Sequence, residues 1–287
     1  MCFGLWSPAQ SDLKQHLTDQ YKGKVLILRG FYSGHRLTYD SSGHLLDDAA
    51  PGDWTVDGLV RIRDIRLSGS HLKIDAPRMH MGWPNGSFQE MHDKVGQFTR
   101  EEKDNRALTI EADLGSASSD AADGILSQVF LTVADDFAAL VPDYWKACVR
   151  AAVTGGATRE VSSCKFSPEF MAVPGVAHSE KEVIADPSVR SEFTPLNRVT
   201  SPPRATSSPQ PEFTDEARRA KYQGTSTLLI TVTQSGEVRD VQIQRPLGMG
   251  LDRKAVEIVS TWQFKPALKD GEPVDFTLMV EVDFHLY

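Results

Sequence analysis

Apolar and polar positions alternate along much of the first third of the chain, as in half-buried β-strands. The alternation runs from about residue 22 to residue 110. Two such runs, Leu59–Leu67 and His71–Ala76, are separated by a short Ser-Gly-Ser segment, which predicts a β-hairpin. The apolar positions change phase near Arg63 and Asp64, which predicts a bulge or a strong bend at that point.

The spacing becomes helical after this region. Apolar residues recur every three or four positions from Ile125 to Phe137, and again in the segment DYWKACVRAAV, which follows Pro142. We therefore predict an α+β domain over residues 13–166, β-rich with a helical end. Its pattern identifies no ligand.

A change in composition follows this domain. Residues 167–209 hold many prolines and few large apolar side chains, which is typical of a semi-extended linker. We therefore predict a Pro-rich tether over this range.

The last part of the chain predicts a second, smaller domain over residues 210–287, in the order helix, strand, strand, helix, strand. Thr214 precedes a short helix with acidic residues first and basic residues last, an order that suits the helix dipole. Two alternating strands then flank the turn Gln234–Glu237, and an amphipathic helix begins near Leu251. The closing strand alternates for twelve residues, and one of its faces is apolar: Phe276, Leu278, Val280, Val282, Phe284 and Leu286.

Composition and charge argue against several classes of function. The hydrophobic content is 40%, and no apolar run is long enough to form a transmembrane segment. A net charge of -8 without a basic cluster argues against nucleic acid as a partner. No arrangement of residues indicates catalysis, a metal or a cofactor. His71, His80 and His92 are expected at the surface, and several arginines between residues 29 and 66 are expected on a solvated strand face.

Two features at this stage allow alternative interpretations. Cys148 and Cys164 could form a disulfide or remain free thiols, since their spacing allows either. The apolar start of the chain, residues 1–12, could be a remnant of a secretion signal or simply an apolar arm.

The C-terminal segment resembles the C-terminal domain of the TonB family. The resemblance covers about a quarter of the chain. The residues that carry it, in chain order, are Gln210-Pro211, Ala217-Arg218, Gly224, Ser235-Gly236, Leu251-Asp252, Ala255, Trp262, Phe264, Pro266, Gly271, Pro273 and Val274. Three features depart from the family pattern. Phe213-Thr214 stands where the family has Tyr-Pro, no N-terminal membrane anchor is seen, and a shorter linker with a globular N-terminal domain replaces the family's long Pro-rich spacer.

This resemblance implies a docking function. In the family, the domain captures an extended segment of an outer-membrane transporter as an added strand at a sheet edge. The closing strand is the expected edge, and Gln210 and Phe213 lie where the family's transporter-contacting lead is. The implied partner-binding residues on the strand are Thr277, Met279, Glu281, Asp283, His285 and Tyr287.

The resemblance also implies a periplasmic, non-enzymatic cell-envelope protein that takes part in TonB-dependent transport across the outer membrane. A clipped signal at residues 1–12 and a Cys148–Cys164 disulfide follow from that location. The alternative is a periplasmic scaffold or ligand-binding protein that uses the TonB-like fold for assembly or for dimerisation.

Overall fold

The computed structural model of the protein describes residues 8–92, 106–154, 164–177 and 199–286. Helices and strands are mixed along these ranges, so the α+β class is confirmed. Within the same ranges, no helix is long and apolar enough to cross a membrane.

The structure contains seven α-helices in the described ranges. A π-helical turn, Trp54–Gly58, and a 3-10 turn, Pro84–Gly86, lie between the first two of them. The α-helices are α1 Pro8–Tyr21, α2 Ser119–Val129, α3 Phe137–Leu140, α4 Asp143–Thr154, α5 Pro168–Met171, α6 Asp215–Arg219 and α7 Leu251–Val259.

The same ranges contain sixteen strands, most of them short. They are β1 Val25–Ile27, β2 Arg36–Tyr39, β3 Leu59–Arg61, β4 Asp64–Ser68, β5 His71–Asp75, β6 Arg78–Met79, β7 Met81–Gly82, β8 Gln89–Glu90, β9 Thr109–Asp113, β10 Arg204–Ser207, β11 Gly224–Val232, β12 Val238–Arg245, β13 Gln263–Lys265, β14 Ala267–Lys269, β15 Glu272–Val274 and β16 Phe276–Phe284.

The chain folds into two compact units. Of the described residues, 8–81, 106–135 and 172–176 belong to the first unit, and the others belong to the second. The boundary expected at residue 166 does not coincide with this division, because residues 82–92 and 136–154 fold with the C-terminal part of the chain. Pairings between distant segments decide the division, whereas sequence patterns report on neighbours only.

The first unit contains a three-stranded sheet of order β1-β3-β6 and a four-stranded sheet of order β2-β9-β5-β4. The expected hairpin is present as β4 and β5, which pair from Asp64↔Asp75 to Ser68↔His71. The phase change is explained by the chain leaving one sheet after Arg61 and entering the other at Asp64. Residues from both halves of that run, such as Val60 and Leu67, are consequently buried in one core.

Two sequence expectations are corrected. The helix expected to run to Phe137 ends at Val129, because the next residues form a turn in which the backbone N–H and the hydroxyl of Thr132 donate to the Asp135 carboxylate.

The range expected to be a linker also contains regular structure: helix α5, and strand β10, which pairs with β13. All four side chains of β10 are exposed, so the strand is held by backbone pairing and shows no apolar pattern in the sequence. Residues 178–198 lie outside the described ranges.

The second unit contains a three-stranded antiparallel sheet of order β12-β11-β16, with α7 packed against β11 and β12. The expected order of helix, strand, strand, helix and strand is present as α6, β11, β12, α7 and β16. The Thr214 hydroxyl accepts from the N–H of Ala217 and caps α6, as the sequence predicts. The short strands β10, β13, β14 and β15 are additions that the sequence pattern does not reveal.

Candidate partner-binding edge

Strand β16 ends the three-stranded sheet, and no strand in the described ranges pairs with its outer side. It pairs with β11 over nine consecutive positions, from Gly224↔Phe284 to Val232↔Phe276, without an irregularity. In such a ladder every second residue directs its N–H and C=O groups away from the neighbouring strand. The outer side of β16 therefore offers a straight row of backbone donors and acceptors.

The opposite edge, β12, has a different structure. Its register with β11 shifts at two places, and Asp240, within the second shift, has a positive φ of 52°. Bulges of this kind twist an edge strand and interrupt its row of hydrogen-bonding groups. Helix α4 also packs against β12, and the Sγ atom of Cys164 lies 3.7 Å from the carbonyl oxygen of Gln244. The edge at β12 is thus both irregular and covered.

A disulfide joins Cys148 in α4 to Cys164, with a distance of 5.3 Å between the Cα atoms. Both residues are buried. The bond connects the helix that packs on β12 to the residue that touches the β12 backbone. The disulfide that the resemblance implied is therefore present, and it belongs to the cover over the second edge.

An aromatic cluster holds this cover together. Trp83 stacks on Trp145 of α4 with ring centroids 5.6 Å apart, and Phe88, Phe166 and Phe170 pack edge to face or tilted around it. The backbone N–H of Trp83 donates to the carbonyl of Leu247, two residues after the end of β12. Segments distant in sequence thus meet beside the same strand.

The inner face of β16 is not uniformly buried. Phe276, Val282 and Phe284 are 3%, 2% and 1% exposed, whereas Leu278 and Val280 are only partly buried. The sequence pattern places these five residues, with Leu286, on one apolar face of the strand, and it does not distinguish the two that remain accessible at the edge. Their alternation in the strand gives no signal of this, since coverage depends on which distant segments of the folded chain lie over the strand.

The residues expected to bind a partner occupy the other face of β16. Met279 is 67% exposed and lies opposite Leu229, while Glu281 and Asp283 are exposed opposite Thr227 and Thr225. The hydroxyl of Thr225 donates to Asp283, and the hydroxyls of Thr277 and Thr231 are 3.3 Å apart. His285 is exposed just beyond the strand, and Tyr287 lies outside the described residues.

The lead segment before α6 is fixed to the domain. Gln210 is exposed, whereas the Phe213 ring packs against Phe284, with centroids 5.5 Å apart and nearly perpendicular planes. The indole N–H of Trp262 donates to the carbonyl of Pro209 at 3.2 Å. Phe213 therefore has a packing role at the end of β16, and Gln210 is the more accessible of the two expected residues.

The structure also shows where the histidines and arginines considered in the sequence analysis lie. His71 and His92 are exposed as expected, but His80 is 1% exposed, because the chain is buried without interruption from Arg78 to Trp83. In the described ranges no group of three or more His, Cys, Asp or Glu residues could hold a metal ion. Four of the expected surface arginines form ion pairs with carboxylates: Arg29 with Asp135, Arg36 with Glu111, Arg63 with Asp75 and Arg66 with Asp64.

Comparisons with known proteins agree with this architecture. Residues 209–286 match the family model described as Gram-negative bacterial TonB protein C-terminal. The protein tonB2 of Pseudomonas aeruginosa is 35% identical over 79 residues, which are 27% of this chain and 29% of that protein. The chain thus spans less than a third of that relative's length.

A solved structure, the solution NMR structure of the Pseudomonas aeruginosa TonB CTD, was also matched. It has 21% sequence identity and a TM-score of 0.25, and the match covers 29% of this chain and 86% of that one. The family match covers the residues that form α6, β11, β12, α7 and β16. Residues 209–286 of this chain are a TonB C-terminal domain.

Proposed function

We propose that the C-terminal domain binds an extended segment of a TonB-dependent outer-membrane transporter as an additional strand on β16. The protein would thereby take part in TonB-dependent transport across the outer membrane. The observation that carries this proposal is the difference between the two sheet edges. In the described ranges, strand β16 is regular and no strand pairs with its outer side, whereas β12 is bulged and covered by α4 and Cys164.

Strand addition at β16 is favoured by two kinds of interaction. An added strand gains backbone hydrogen bonds along the outer row of β16, and alternate side chains determine its fit. It also covers Leu278 and Val280, which the domain itself leaves partly exposed on the face that is otherwise core. Apolar area removed from water contributes about 25 cal/mol per Å².

The disulfide supports a location in the periplasm. Disulfides persist in oxidising compartments, and the bacterial periplasm is one of them. Cys148 and Cys164 are joined within the same unit as the TonB C-terminal domain. We therefore place the whole protein in the cell envelope, as a non-enzymatic component of the transport system.

The first test measures which backbone amides of the domain a bound peptide protects. A ten-residue peptide from the periplasmic segment of a TonB-dependent transporter of the source organism is titrated into the full chain, followed by hydrogen exchange. We expect amide protection to rise in β16 and to stay unchanged in β12. Two versions of the peptide, N-methylated on alternate amides, should differ in affinity, because only one set of amides faces β16 in an added strand.

The second test uses proline, which removes a backbone donor. Met279→Pro should weaken peptide binding, because the N–H of Met279 lies on the outer side of β16. Val241→Pro, in the irregular part of β12, is the matched control. Circular dichroism verifies that both variants fold. Equal affinity for the two N-methylated peptides, or protection confined to β12, would contradict the proposal. A stable dimer in light scattering with no affinity for the peptide would favour the assembly function instead.

A further inference from the structure

We infer that the segment captured on β16 is basic on one face: it carries Lys or Arg at the two positions beside Glu281 and Asp283, and an apolar residue beside Met279. This inference rests on the proposed function, and it names the chemistry of the partner. It follows from the charges and the exposure along the outer strand.

The three side chains form one row. Met279, Glu281 and Asp283 are spaced two residues apart, so they project from the same face of β16. A strand added beside β16 places its own side chains on that face about 5 Å from them. Three alternate side chains of the partner would therefore contact Met279, Glu281 and Asp283.

In the part of the chain that the structure describes, the two carboxylates have no cationic partner. Within the described ranges, neither Glu281 nor Asp283 forms an ion pair, and their neighbours on β11 are the neutral residues Thr227 and Thr225. Asp275, just before the strand, is by contrast paired with Arg239 of β12. The negative charge of the sheet thus remains unneutralised at the edge where a strand can be added.

On the face of the sheet that carries Met279 and Glu281, basic and acidic side chains lie on opposite edges. Arg239 and Arg245 lie on β12, and in the register Arg245 stands opposite Thr227, two strands away from Glu281. A segment added to β16 therefore meets acidic side chains first. Opposite charges directly across neighbouring strands stabilise pairing, and like charges destabilise it.

Met279 favours an apolar residue at the third position of the partner segment. It is 67% exposed and lies opposite the buried Leu229, so its outer side is the end of an apolar strip that crosses two strands. On the other face, the partly exposed Leu278 and Val280 favour apolar residues at the intervening positions. The expected segment thus alternates apolar residues on one face with one apolar and two basic residues on the other.

The experiment compares three synthetic ten-residue peptides with Val at the intervening positions and Leu at the position for Met279. The two remaining positions carry Lys in the first peptide, Gln in the second and Glu in the third. Fluorescence anisotropy with the full chain should rank affinity as Lys, then Gln, then Glu. The Lys and Glu peptides should differ roughly tenfold at low salt, and the difference should shrink in 0.5 M NaCl.

A double variant, Glu281→Lys with Asp283→Lys, should reverse this ranking. The matched control is Glu169→Lys with Glu272→Lys, which makes the same change in net charge at two exposed positions outside β16 and should keep the original ranking. Equal affinity for all three peptides, with the difference between N-methylated versions intact, would overturn the basic pattern and leave strand addition standing. No binding of any peptide, including the transporter-derived one, would overturn both.

Discussion

The hydroxyl of Ser226 in β11 donates to the carboxylate of Asp252 in α7 at 2.7 Å, and both side chains are fully enclosed. The same carboxylate accepts from the N–H groups of Leu247 and Gly248. This network holds a loop in which Gly248, Met249 and Gly250 all have positive φ, at 85°, 57° and 73°. One buried acid therefore ties the start of the helix to the central strand.

The first prediction concerns this acid. Asp252→Ala should lower the free energy of unfolding by about 3 kcal/mol, because it leaves two backbone donors and one hydroxyl buried without an acceptor. Thermal and denaturant unfolding of the full chain measures the effect. The control is Glu257→Gln in the same helix, an exposed acid whose ion pairs with Arg253 and Lys254 contribute less than about 1 kcal/mol. Equal losses in the two variants would contradict the structural role of Asp252.

The second prediction concerns the disulfide. Replacing both Cys148 and Cys164 by Ser should destabilise the second unit by about 3 kcal/mol, because the bond closes a loop with a sequence separation of 16. Unfolding without reductant measures the loss, and dithiothreitol should bring the wild type to the same stability as the variant. Cys2→Ser, which removes the third thiol, is the control. An unchanged unfolding midpoint in the double variant would exclude a stabilising bond.

The third prediction separates backbone strain from a clash. Gly236 and Gly271 have similar positive φ values, 87° and 91°, but an added Cβ at Gly236 would lie 2.0 Å from the carbonyl oxygen of Phe264. An added Cβ at Gly271 meets nothing within 4 Å. Gly271→Ala should cost about 1 kcal/mol of strain alone, and Gly236→Ala should cost clearly more. Unfolding midpoints compare them, and equal costs would contradict the close approach of the turn to β13.

The fourth prediction concerns acid stability in the first unit. The Arg29 guanidinium donates to both carboxylate oxygens of Asp135 and lowers the pKa of Asp135 from 3.8 to about 2. Because the folded-state pKa is the lower one, the pair stabilises the unit above about pH 4, and this stability is lost as the pH falls toward 2. Asp135→Asn should cost about 1–2 kcal/mol at pH 7, and its deficit should shrink over that window.

The control for this prediction is Asp143→Asn, an exposed acid paired with Lys146, which should change the acid profile little. Urea unfolding at pH 7, 4 and 2 distinguishes the variants. A deficit for Asp135→Asn that stays constant from pH 7 to pH 2 would contradict the ion pair as its source.

Local patterns account for the elements that the sequence predicted correctly. Alternation identifies β11, β12 and β16, because each side chain of a strand faces the side opposite to its neighbours. The cap at Thr214 and the hairpin of β4 and β5 depend on interactions within a few residues. A sequence displays interactions of this range directly.

Tertiary structure alone decided which edge of the sheet is open. The cover over β12 is assembled from Trp83, Trp145 and Cys164, which lie 62 and 19 residues apart in the chain, and no local pattern links them. Likewise, Leu278 and Val280 alternate like core residues, yet the described part of the fold leaves both of them partly exposed at the centre of its outer strand. The sequence by itself determined that β16 is a strand with one apolar face. Its position at the open edge depended on contacts between segments distant in the chain, because burial is a property of the assembled fold.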